Sequence, residues 1–495
     1  MEARNVNRKK KIAAIALACA LIAAVAAAWV THRGGVATPP GDAYEWSKVP
    51  KKLSPTNHAA LVRGPLKSGP AVTRECIRCH PEEANDFMKT AHWNWVGDET
   101  FIPGHDTRER IGKKNLINNF CISVESNWPK CTTCHAGYGW KNDKFDFKKK
   151  ENIDCLVCHD HSGGYAKDDS GLPAKGVDLL AAAQSVGRPT RSNCGACHFN
   201  GGGGNAVKHG DLDGSLNKPV ERVDVHMGRL DLQCVDCHKT KKHRIPGRSM
   251  SVSVSGMGKM DCSDCHTKKP HESERLNEHV AAVACQACHI PFMAVKEPTK
   301  IAWDWSTAGK DVPVDDPHEY LKIKGSFVYE KNIAPTYMWF NGRSGRYLKG
   351  DKIDPNKITN INYPLGRISD PGSRIWPFKV HYAKQPYDVG YNYLLIPQTV
   401  GKGGYWTDFN WNQAATLAQK FTGLKFSGKM GFTKTGMYWP LSHMVSPKGK
   451  ALQCTDCHGD NGRLAWRALG YSGDPAKSGG RERMRLLISD EVKSK

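Results

Sequence analysis

Eight times in this chain two cysteines stand with two residues between them and a histidine directly after the second. The sets are Cys76, Cys79 and His80; Cys131, Cys134 and His135; Cys155, Cys158 and His159; Cys194, Cys197 and His198; Cys234, Cys237 and His238; Cys262, Cys265 and His266; Cys285, Cys288 and His289; and Cys454, Cys457 and His458. Two thiols at this spacing add to the vinyl groups of a haem, and the adjoining imidazole becomes an axial iron ligand. Zinc sites or disulfides would not need a histidine after the second cysteine every time. The reading is eight covalently bound c-type haems.

The motifs use sixteen of the eighteen cysteines. Cys19 lies in an apolar N-terminal run, so Cys121 is left over, either buried and inert or reactive for a purpose. Eight irons have sixteen axial positions, and thirteen of the 21 histidines lie outside the motifs. His92, His226, His243, His279, His381 and His443 are the first candidates for the second axial position. His279 and His443 lie shortly before motifs, and the others lie in apolar or basic segments that could line a haem. His58, His209 and His271 come next, and His32 and His318 last. The supply allows every iron two imidazoles, so counting does not reveal an open one. After the fourth motif runs GGGGNAVKHGDLDGS, Gly201–Ser215. Four glycines let backbone approach a cofactor closely, yet alone the segment reads as a flexible loop with ordinary charges.

The elements that position these groups must wrap on porphyrins. With 495 residues, modest apolar content and 48 glycines, the expected fold is a multihaem cytochrome c of short α-helices and irregular loops around eight haems, with little β-structure. The formal charge of +22 falls to roughly +14 with eight ferric haems and about +6 with ferrous ones. Much of the Lys and Arg then pairs with propionates, and the rest suits anionic substrates or acidic redox partners. No nucleic-acid motif occurs.

Residues 1–30 read as a basic start followed by an uncharged run, Ile12–Val30, expected to be an inner-membrane anchor. A signal peptide cleaved after Ala26–Ala28 is the alternative. Either way the body is exported to the periplasm. Residues 31–70 read as a linker. Residues 71–291 form a haem-dense domain with seven motifs, too irregularly spaced for a repeat. Residues 292–450 are haem-poor, a substrate wall or partner surface of short strands and loops, with a helix over Thr407–Thr422 N-capped by Thr407. Residues 451–495 hold the eighth motif and a basic tail with a short helix near Arg481–Ser489.

The chain resembles the octahaem tetrathionate reductases, which are periplasmic c-type cytochromes. The likeness rests on the eight motifs, the long gap before the last, NNFCISVES before the second motif and VKHGDLDG after the fourth. It covers about residues 55–470. Hydroxylamine oxidoreductase and octahaem nitrite reductase are related but differ, the first by a tyrosine cross-link and the second by a Cys-x-x-Cys-Lys motif that this chain lacks. The resemblance implies that the second motif's haem is catalytic. Lys208 would ligate its iron and Cys121 would sit beside it, with His135's role left open. A second pocket lysine falls at Lys300, or less well at Lys296. A family acid falls at or near Asn205, so this chain lacks that carboxylate. A homodimer is implied too.

The expected function is multi-electron reduction of small oxidised sulfur or nitrogen compounds: tetrathionate, nitrite or hydroxylamine. The haem relay would be fed by a quinol-linked donor. The alternatives are a non-catalytic electron conduit, or oxidation of hydroxylamine or hydrazine.

Overall fold

The computed structural model describes residues 47–481, save 50, 53, 119–121, 248, 252–257 and 259. Cys19, His32, Cys121, Ile12–Val30 and the tail helix expected past Arg481 lie outside the described residues. The chain divides into two units, Met1–Lys51 with Cys262–Lys268, and Lys52–Asp261 with Lys269–Lys495. In the first, the sixth motif makes a 3-10 turn at Cys262–Asp264, and the His266 N–H donates to the Cys262 carbonyl at 2.8 Å.

In the second unit the motifs are single helical turns. Positions three and four apart share a helix face, so both thiols and the imidazole point one way. Helix α1, Gly69–Cys79, carries the first motif; Ser68 caps it by accepting from the Ala71 N–H at 3.3 Å. Helix α2, Arg191–His198, ends on the fourth motif and starts with a reciprocal Thr190–Asn193 cap. Helix α3, Cys285–His289, is the seventh motif itself. His80, His159, His238 and His458 all donate their N–H to the carbonyl of their motif's first cysteine. His135 donates instead to Thr132 at 2.9 Å, one residue tighter, and continues in extended backbone.

A buried node joins the second and third motifs. The Asp154 carboxylate accepts from Tyr138 at 2.8 Å, Tyr165 at 2.8 Å, the Val157 N–H at 3.0 Å and Lys167 at 2.7 Å. Lys167 also donates to the His135 carbonyl. With four donors, the buried charge is compensated on every side.

Residues 292–450 overturn the expectation of little β-structure. They build a mixed eight-stranded sheet from β1 (Thr299–Asp304), β2 (Tyr320–Leu321), β3 (Gly325–Glu330), β4 (Thr336–Phe340), β5 (Thr359–Asn360), β6 (Arg374–Asp388), β7 (Tyr393–Leu394) and β8 (Met430–Pro440). The order is β2-β3-β1-β6-β8-β5, with β7 and β4 also on β6. Strand β6 pairs antiparallel with β8 from Phe378 opposite Pro440 to Asp388 opposite Met430, and parallel with β1. The chain is thus a mixed α and β molecule. The long strand was hard to read because its inward positions include Lys379, His381 and Gln385, all fully buried. Those polar residues hide the apolar alternation that marks a strand. Trp303, Trp305, Phe327, Ile361, Leu394, Met437 and Trp439 form the core beside it.

The helix expected over Thr407–Thr422 is two pieces, Tyr405–Asp408 and α4, Trp411–Thr422. Phe409, at φ 52°, breaks the run, so Asn410 and not Thr407 caps α4, accepting from the Gln413 N–H at 3.0 Å. The inner-membrane anchor expected over Ile12–Val30 lies outside the described residues, and no helix among the described residues is long and apolar enough to cross a membrane.

Removing one partner of a buried ion pair strands the other. Asp154→Asn is therefore expected to lower stability by about 3–5 kcal/mol. Thermal unfolding of the holoprotein checks this, and a change within error would show the node to be dispensable.

Candidate functional site

Six motif histidines each face a histidine from outside the motifs. The ring centres are 6.4 Å apart for His80 and His58, 6.1 Å for His198 and His92, and 6.4 Å for His159 and His243. They are 6.4 Å apart for His238 and His443, 6.2 Å for His289 and His271, and 6.3 Å for His458 and His279. An iron held by two imidazole nitrogens at about 2 Å each sets ring centres roughly 6 Å apart. The residues therefore fit axially ligated haems at these six places.

Orientation supports the fit. The Nδ1 atoms of His159, His238, His279 and His58 each meet a carbonyl, on Gly187, Pro246, Arg275 and Thr56, at 2.7–2.8 Å. His458 Nδ1 meets Asp474 at 2.6 Å and His443 Nδ1 meets Asp211 at 3.2 Å. With Nδ1 engaged, Nε2 is the nitrogen presented to a metal. Asp211 lowers its own pKa and raises that of His443 through this contact, against the opposing cost of burial. The thiols also bring motifs together: Cys76 acts on Cys155, Cys134 on Cys197 and Cys194 on Cys234, so these pairs lie side by side. Neighbouring haems on these thiols would lie close.

The second motif is different. His135 is fully buried and its Nε2 lies 2.7 Å from the Trp93 carbonyl, while Nδ1 has no hydrogen-bond partner. Its ring is packed by Trp140 at 4.8 Å, Trp95 at 5.2 Å, Trp93 at 5.3 Å and Phe145 at 5.5 Å. Gly137 permits this, since a Cβ there would lie 2.7 Å from both the His135 ring and Trp93. Burial keeps the imidazole neutral, pushing its pKa down to about 3. The nitrogen that the other motifs present to a metal is here tied to backbone.

Lys208 comes to this motif from the glycine loop. Its side chain is buried, and burial first, then the charges of Lys113 and Arg346, push its pKa down to about 7; the thiols of Cys134 and Cys131 act the other way. Gly203, at φ 99°, turns the loop, and Gly201 leaves the Lys208 stem its space. Arg346, 3 % exposed, donates to the carbonyls of Ile117 at 2.6 Å, Met250 at 3.2 Å and Ser251, while its Nε has no hydrogen-bond partner. Next to Ile117, the Asn118 N–H donates to the Ile122 carbonyl at 2.8 Å, and the Ser123 carbonyl lies 3.8 Å from Cys131 Sγ.

Lys300 is elsewhere, on β1. Its amine sits 3.3 Å from the Phe327 ring centre and 4.1 Å from that of Trp303, with its pKa pushed down to about 6 by burial, then by Lys324 and Lys379. His381 is fully buried on β6 against Trp439, 5.9 Å between ring centres. His226 is the second residue of a π-turn, Val225–Arg229, capped by Asp224. His209 lies 6.4 Å from Trp439, and His318 pairs with Asp316 at the surface. Asn205 uses its Oδ1 to accept from the Gly214 N–H at 2.7 Å, closing the loop that carries Lys208. Sequence reasoning passed over Trp93, Trp95 and Trp140, although so many aromatics around one motif were a visible signal. It also passed over Asp474, Thr299 and Lys379, for which no local pattern existed.

Thiol pairs beside imidazole pairs at iron-binding separation define a multihaem c-type cytochrome, with covalently bound haem c. Residues 75–160 match the family model for cytochrome c554 and c-prime, and residues 300–461 match the one described as cytochrome c bacterial. No curated protein matches. The crystal structure of octaheme cytochrome c from Shewanella oneidensis is 49% identical, with a TM-score of 0.80, over 85% of this chain and 98% of that one. This chain belongs to the octahaem cytochromes c.

The Lys300 amine supplies a pH test. Its folded pKa, about 6, lies below the unfolded value of about 10.4, so between them the unfolded chain holds the extra proton. Stability therefore rises with pH across that window, and the penalty is complete below the folded pKa. Lys300→Met is expected to flatten that rise, as read from denaturant midpoints at pH 6 and pH 9. An unchanged slope would mean that Lys300 is charged in the fold.

Proposed function

We propose that this chain carries eight haems and reduces small oxidised sulfur or nitrogen compounds, namely tetrathionate, nitrite or hydroxylamine, at the second motif. The observation that carries this reading is the exchange at that motif: His135 is tied to Trp93, and a buried lysine stands within the field of the thiols. The haem, once attached, supplies an iron that takes up single electrons and offers a coordination position to a small ligand.

The chain's own groups would then act as follows. The six histidine pairs hold their haems in fixed ligation, which suits electron passage. The thiol contacts from the first motif to the third, from the fourth to the fifth and from the fourth to the second suggest the route by which electrons converge. Lys208 acts as the axial amine. A lysine binds metal only when neutral, and burial favours that form. Lys113 and Arg346 would hold an anion: among the described residues the buried guanidinium's hydrogen bonds go to carbonyls, which bring it no counter-charge. Lys300, boxed by rings, forms the wall behind the loop. The electron donor would be quinol-linked.

Lys208→Ala is expected to leave eight haems in the intact mass and the paired-histidine signals in the EPR spectrum. The second-motif signal should change, and reduction of all three substrates should fall by roughly 10- to 100-fold or more. If spectrum and activities stay at wild-type levels, the electron-conduit reading moves ahead.

Arg346→Gln separates binding from chemistry. It is expected to raise KM for tetrathionate and nitrite by about 10-fold and to spare neutral hydroxylamine. Equal losses on all three, with a shifted haem potential, would instead mean that Arg346 serves a propionate.

A further inference from the structure

Lys379 is a buried amine with no part in the site as described so far. It lies on the inward face of β6, the strand at the centre of the sheet, and is fully buried, as is Thr299 at the start of β1. Its Nζ donates to the Val207 carbonyl at 3.0 Å and to Thr299 Oγ1 at 2.5 Å. The Thr299 hydroxyl in turn lies 2.7 Å from the Ala206 carbonyl and 3.1 Å from that of His209. Two side chains thus grip three carbonyls, and those carbonyls bracket residue 208 on both sides. Lys300 adds its N–H to the Ala206 carbonyl at 3.4 Å, and the Ala294 N–H donates to Gly210 at 2.6 Å.

We infer that Lys379, acting through Thr299 and the backbone of residues 206–209, is a positioning residue that fixes Lys208 against the second motif. The inference rests on the reading of Lys208 as that motif's axial amine. A stretch preceded by four glycines has little stiffness of its own, and Ala206 stands in the left-handed region at φ 58°. Ligation by a flexible four-carbon side chain needs its Cα held closely, and supporting groups of this kind tune metal sites. The sheet supplies that rigidity. Among the described residues Lys379 makes no hydrogen bond or ion pair with a carboxylate; burial lowers its pKa, Asp211 opposing from a distance, the Trp439 ring centre lies 5.6 Å away, and a neutral amine's two N–H donors match its two acceptors.

The test uses the full-length holoprotein. Lys379→Met keeps the stem and removes both donors. It is expected to convert the second motif's EPR signal towards high spin and leave the paired-histidine signals unchanged. It should lower kcat for tetrathionate, nitrite and hydroxylamine about 10-fold, with KM little altered. Thr299→Val, a second variant in case the first fails to assemble, should shift the same signal, and Thr299→Ser should restore it. A lower melting temperature with a wild-type spectrum in both Lys379→Met and Thr299→Val would reduce the clamp to a structural contact and overturn the inference. Lys208→Ala, run alongside, separates the two failures. A wild-type spectrum there overturns the ligation reading itself, whereas a changed spectrum there with unchanged clamp variants overturns only the positioning.

Discussion

Two imidazoles held face to face across a gap of about 6 Å are the constraint on which the molecule depends. Both partners must come from backbone rigid enough to keep that gap, and they arrive from distant parts of the chain. His92 serves the fourth motif, His243 reaches back to the third, and His443 reaches back to the fifth. Each pair is thus a long-range tie as well as a place whose spacing fits a haem iron. Acceptors behind the rings, such as Asp474, Asp211 and the Gly187 carbonyl, choose the nitrogen that faces the gap. Short helices suffice between the ties, because the cofactors and their ligands take the place of a continuous side-chain core.

The second motif departs from this rule by local means. Its turn closes one residue early, Gly137 leaves space, and tryptophans and phenylalanines receive His135. Aromatic contacts of this kind contribute about 0.5–1.5 kcal/mol each beyond simple burial. Together with the bond to the Trp93 carbonyl they hold the ring in place. Lys208 stands in the field of the same motif's thiols, in surroundings that are buried and cationic. One element, the sheet, then links the haem-poor half of the sequence to this motif, because Thr299 and Lys379 grip the loop that carries Lys208. On the proposed reading, a segment without haem motifs would thereby shape the ligand set of a haem.

What could be read along the chain was local chemistry. Cys-x-x-Cys-His specifies haem attachment within five residues, since thiols and imidazole share one turn. The glycine run flagged Lys208 as mobile, and resemblance alone gave it a role. Among distal histidines, His92, His243, His279 and His443 face motif histidines, as do His58 and His271, which the sequence ranked lower. His381, ranked with the first group, lies in the sheet beside Trp439. Neighbouring residue types cannot report which histidine will stand opposite which, because the distance is set by folding over hundreds of residues.

Tertiary structure decided the rest. The eight-stranded sheet was hidden by Lys379, His381 and Gln385 on the inward face of β6, where burial was expected to demand apolar residues. Those polar groups are tolerated because the fold gives them roles: Lys379 finds two acceptors, and Gln385 accepts from Thr435 at 2.8 Å. Phe409 stopped a helix whose periodicity ran on, because one residue took a left-handed conformation. The sequence by itself determined how many haems can be attached and by which residues, since that chemistry closes within one turn. The place of each imidazole, the turning of His135 and the grip on Lys208 depend on contacts between distant segments, and only the folded chain brings those together.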